Sequence, residues 1–121
     1  MTAARWNLVI EQGADFQVDL TWTADGTPVD LTGYTGAMDV RRWYAESDGQ
    51  TVLTAETTGG GGNGFMVLGG ALGTIQIRGP AANTQSVAGG DYVYDVEVVS
   101  GSGTVYRVVE GVAVCRPEVT R

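Results

Sequence analysis

Apolar and polar residues alternate with a period of two along most of this chain, and that alternation constrains its fold more than any other feature. In "DFQVDLTWT" Phe16, Val18, Leu20 and Trp22 share one side of an extended backbone, and Asp15, Gln17, Asp19 and Thr21 share the other. Successive side chains of a strand point to opposite faces, so the segment reads as a half-buried strand. "DYVYDVEVV" repeats the pattern, with Tyr92, Tyr94, Val96 and Val98 on one face. "SGSG" joins it to "TVYRVVEGVAVC", which predicts a hairpin in which Glu97 and Arg107 can meet across the strands. Further strands are predicted at "ARWNLVI" (Ala4–Ile10), "TGAMDVRRWY", "TVLTAET", "FMVL" and "TIQIR". A single turn near Ala81 to Val87 is the only helical expectation. The chain has 121 residues and 19 glycines, and turn signals recur at close intervals. These point to one domain, residues 1–121, built as an antiparallel β-sandwich of seven to nine short strands.

Several chemistries need residue types that this chain lacks. It contains no histidine, which excludes Ser-His-Asp and Cys-His catalysis and histidine-based zinc sites. All seven basic residues are arginine, so a phosphate-loop lysine and Schiff-base chemistry are excluded as well. The net charge of −7 disfavours nucleic acid and anionic membranes, because phosphate contact depends on clustered positive charge. No apolar run reaches the roughly 18 residues of a membrane span. The opening "MTAARWNLVIEQG" lacks a basic n-region and a long apolar core, so folding in the cytoplasm is expected. Cys115 in "GVAVCRP" reads as a small apolar strand residue.

Carboxylate chemistry is what remains. Asp95 and Glu97 alternate onto one strand face, as do Asp15 and Asp19, and such pairs serve as acid and base in glycosidases. A solvated strand face presents carboxylates in the same way, and that reading is preferred. The tract "GGGGNG" (Gly59 to Gly64) matches G-x-G-x-x-G literally. A dinucleotide cradle needs a helix after the glycines and a βαβ unit around them, whereas "FMVL" and a second glycine turn follow at once, so the tract reads as a loop tip. Asp19, Asp25 and Asp30 lack the spacing of a calcium loop. No metal or cofactor is expected.

The stretch "DGTPVDLTGYT" reads as a structural corner made of Pro28, Asp30, Leu31, Thr32, Gly33 and Tyr34. Asp30 and Thr32 can bond nearby amides, Gly33 supplies a positive φ, and Val29, Leu31 and Tyr34 reach the core. The candidate partner interface is "RRWY", Arg41, Arg42, Trp43 and Tyr44, with Trp6 as a second candidate, because arginine and aromatic residues anchor interfaces. The competing reading closes one end of the sandwich with Trp43 and pairs the arginines with acids on neighbouring strands.

Read together, "NLVIEQGADFQVDLTW", "DGTPVDLTGYTGAMDVR", "GTIQI" and "AGGDYVYDVEVVSGSGTVYRVVEGVAVCRPEVTR" resemble small virion proteins of tailed bacteriophages and prophages along nearly the whole chain. "PVDLTGYT" also resembles the N-terminal domain of phage baseplate upper proteins, an immunoglobulin-like sandwich. The resemblance implies a non-enzymatic structural protein with an immunoglobulin-like fold, which folds in the host cytoplasm and then joins the virion. It implies a place in the tail or baseplate, contacts with other virion proteins and copies of itself, and no nucleic-acid or membrane partner. A capsid decoration protein is the alternative, contacting the major capsid protein. A carbohydrate-binding β-sandwich with aligned exposed aromatics is a further one.

Overall fold

The computed structural model describes residues 4–42, 51–57, 64–85 and 87–119. Their strands are β1 (Ala4–Arg5), β2 (Leu8–Glu11), β3 (Phe16–Thr21), β4 (Thr23–Ala24), β5 (Thr27–Pro28) and β6 (Thr35–Arg41). They continue with β7 (Thr51–Glu56), β8 (Gly64–Leu68), β9 (Thr74–Gly79), β10 (Gly90–Val99) and β11 (Val105–Arg116). One short helix, α1 (Ala81–Thr84), falls where a helical turn is expected, and a single 3-10 turn covers Gly70–Leu72. The fold is all-β, as the alternation predicts.

Nine strands form one curled sheet in the order β1-β11-β10-β6-β7-β8-β9-β3, with β2 also paired to β11. β4 and β5 form a separate two-stranded piece. The curled sheet is consistent with the expected β-sandwich, and most pairs are antiparallel as expected, but the sheet is mixed: β1 and β2 run parallel to β11, and β7 runs parallel to β8. Alternation fixes which side of a strand is buried but carries no information about a partner's direction. Almost the whole chain separates β2 from β11, whereas residues 57–63 alone connect β7 to its parallel neighbour β8.

The expected single strand Ala4–Ile10 is split in two. The Trp6 carbonyl turns inward to accept the Tyr94 hydroxyl, while Trp6 N–H donates to Glu110 O at 3.0 Å. Asn7 then takes over from the ladder, its Oδ1 accepting Val112 N–H at 3.2 Å. The Asp-Gly pair forms the hairpin-type turn that its residues predict: β4 and β5 close over Asp25 and Gly26, whose φ values of 53° and 78° define a type I′ turn.

One contiguous core lies inside the curl. Phe16, Val18 and Trp22 of the β3 segment are buried there, as are Tyr92, Tyr94, Val96 and Val98 of β10. Both sets occupy the faces that the alternation assigns them. Leu20 packs against the core from a partly exposed position, and Cys115 is buried. Each such aliphatic or aromatic side chain stabilises the fold by about 1.5–3 kcal/mol, against about 0–1 kcal/mol for a surface ion pair. The apolar face therefore holds the fold, which leaves the polar face free for other work.

Candidate functional site

The corner forms within residues 28–34. Asp30 Oδ1 accepts from Thr32 N–H at 3.0 Å and from the Thr32 hydroxyl at 2.6 Å. The Thr32 hydroxyl first, and then its N–H, hold the Asp30 carboxyl below its usual 3.8. Tyr34 N–H donates to Leu31 O at 3.0 Å, and Gly33 between them has φ 80°. Leu31 is buried, and its N–H donates to Gly70 O. Tyr34 stacks on Tyr106 at 6.5 Å between ring centroids, and Tyr106 meets Trp22 at 5.4 Å. Pro28 ends β5 and is exposed. The Asp30 carboxylate is taken up by its own loop, so the segment acts as architecture.

The polar side of β6, β10 and β11 carries a transverse row of charge. In register, Asp39 lies opposite Asp95, Asp95 opposite Glu110, and Glu110 opposite Arg5. Three carboxylates in line would repel one another. A bulge between Val96 and Glu97 answers this by shifting β11 so that Arg107 stands beside three acids. Its guanidinium reaches Asp95 at 3.3 Å, Glu110 at 3.4 Å and Glu97 at 3.6 Å. The predicted Glu97–Arg107 pair is therefore one arm of a three-armed hub. Arg5 caps the row on Glu110 at 3.6 Å, and Arg41 caps it on Asp39 at 3.2 Å. Burial pushes the Asp95 carboxyl above its usual range, helped by Glu97, opposed by Arg107, and raised further by Asp39 and Glu110.

Trp6, Arg41 and Arg42 sit around this row. Trp6 lies over Gly111, which pairs with Tyr94, which in turn pairs with Val40. Three strand spacings, about 14 Å, therefore separate the backbone of Trp6 from that of β6 near Arg41. Trp6 is 46% exposed. Arg41 pairs with an acid on its own strand, not on a neighbouring one as the competing reading expects. Exposed Arg42 places its guanidinium 5.5 Å from the centre of the Tyr92 ring, covering that end of the core. Trp43 and Tyr44 lie outside the described residues, as does most of the glycine tract before Gly64.

Sequence reasoning missed the latch that joins the two ends of the fold. Gln12 N–H donates to Arg116 O at 3.0 Å. The Gln12 side chain donates to Val87 O and accepts from Glu118 N–H, both at 2.8 Å. Glu11 meets Arg116 at 3.9 Å. Burial, and then Glu11, push the Cys115 thiol up, which leaves it a weak nucleophile inside this latch. Asn7 and Gly111 were missed as well. A lone glycine within a strand is the available signal for Gly111, because it marks a close backbone approach.

Among the described residues no group of three or more acids, cysteines or histidines is placed to hold a metal ion. No helix of the described residues is long and apolar enough to cross a membrane. In comparisons with known proteins, no family model and no curated sequence matches the chain.

Proposed function

We propose that this chain is a non-enzymatic structural component of a tailed-phage virion, an immunoglobulin-like docking module of the tail or baseplate that contacts other virion proteins and copies of itself. The supporting observation is the latch. The two segments that bound the resemblance, Glu11-Gln12-Gly13 and the run that begins at Pro117, lie far apart in sequence. In the fold they bond to each other through Gln12, Arg116 and Glu118. A pattern shared over the whole chain is then one structural unit rather than a set of unrelated strand motifs. The working surface is the charged row with the exposed Trp6 at its edge, a polar field beside an aromatic anchor.

Trp6→Ala tests this role. The ring is half exposed and its backbone bonds do not need it, so the melting midpoint of the isolated protein should move little, while incorporation into particles falls. If incorporation stays at the wild-type level, Trp6 is not part of the docking surface. Equal loss of stability and incorporation would make it a core residue.

A further inference from the structure

β3 is the last strand of the sheet, and among the described residues only β9 pairs with it. Trp22 N–H donates to Gly73 O, one step beyond the Thr21–Thr74 pair. In an antiparallel ladder this parity turns the backbone groups of Phe16, Val18 and Leu20 toward β9. The N–H and C=O of Gln17, Asp19 and Thr21 therefore face the open edge, and all three residues are exposed. An unpaired row of this kind is a template for another strand.

We propose that two copies of this chain join antiparallel through β3, in a register centred on Val18. This deepens the assembly reading above and rests on it. The edge is complementary to itself in that register alone. It sets Gln17 opposite Asp19 of the second copy twice, so that the acid within the strand meets an amide donor, while Asp15, one residue before the strand, comes opposite Thr21 with its Oδ1 already accepting the Ala81 N–H at 2.8 Å. Centring on Asp19 would stack Asp19 on itself. Centring on Gln17 would set Asp19 against Asp15, and centring on Leu20 would pair only residues 19–21 of the strand with their counterparts. The Gln17 amide already leans toward Asp19 within one copy, at 3.3 Å. On the inner side Val18 would meet Val18 and Phe16 would meet Leu20, which extends the apolar face. A six-residue strand contact buries less than the roughly 800 Å² per partner of a standard interface, so the pair is weak in dilute solution and favoured where copies are held close.

Sedimentation equilibrium of the full chain tests this. The wild-type protein should be a monomer when dilute and approach twice the monomer mass as concentration rises toward ~1 mM. Higher salt should tighten the pair, because it screens two bodies of net charge −7. Gln17→Lys should tighten it roughly two- to tenfold and Gln17→Glu should loosen it by a similar factor, with unchanged melting midpoints. Gln17→Pro removes an edge-facing N–H and should abolish the pair. A chain that stays monomeric throughout, or a pair that Gln17→Lys weakens, overturns the proposal. Monomers that still enter particles would sink this inference and leave the virion reading standing. Dimers absent from particles would do the reverse.

Discussion

Gly33 has φ 80°, and a Cβ built there would meet nothing within 4 Å. The demand at this position is therefore conformational and not steric. Gly33→Val should destabilise the protein by about 1–3 kcal/mol, because a β-branched residue is strained in the left-handed region. A variant with wild-type denaturant midpoint would contradict that reading. Asp95 makes the contrasting case, where environment matters more than backbone. Its folded-state proton affinity is raised, so its favourable contribution is fully present below the unfolded value near 3.8 and is lost as pH rises through the folded value. Ionised Asp95 then weakens the fold at neutral pH, even with Arg107 beside it. Asp95→Asn should raise the melting midpoint by about 1–3 °C at pH 7 and leave it nearly unchanged at about pH 3. A lower midpoint at pH 7 would mean that the pair with Arg107 outweighs burial. The corner was legible from "DLTG" because its bonds are local. The charge on Asp95 was not, because it depends first on burial by the neighbouring strands, and only β-pairing brings up Arg107, Asp39 and Glu110 beside it.

At the scale of elements, the strands were legible wherever alternation is unbroken, as in β3 and β10. Strand breaks and partners were not, because they depend on groups far away in sequence. The β1–β2 break shows this. Trp6 crosses above Gly111 so closely that a methyl group on Gly111 would overlap the Trp6 carbonyl. Burial pushes the Tyr94 phenol up to about 12, which keeps it the donor to that carbonyl across the working pH range. Gly111→Val should therefore detach the N-terminal edge at a cost of about 1–3 kcal/mol. Amide exchange should show it first at Trp6 and along β2, with the β10–β11 hairpin still protected. Uniform loss of protection across the hairpin would mean that the N-terminal edge is not a separate unit.

For the whole molecule, the same division of labour holds. The inner faces of the curled sheet carry the stability, and among the described residues β3 is paired on one side only. The fold class was readable from one strand pattern, but the charged row joins β1, β6, β10 and β11, and only their pairing brings it together. If the chain is a tail or baseplate part, its copy number in a particle is a small multiple of the tail's ring symmetry. If it decorates the shell, its copies rival those of the major capsid protein. Quantitative gel densitometry of purified particles, read against the capsid band, is the measurement that decides most. The proposed function predicts a band at a small fraction of the capsid band's molar amount. A band matching the capsid's would move the protein to the shell, and no band at all would contradict its assignment as a virion component.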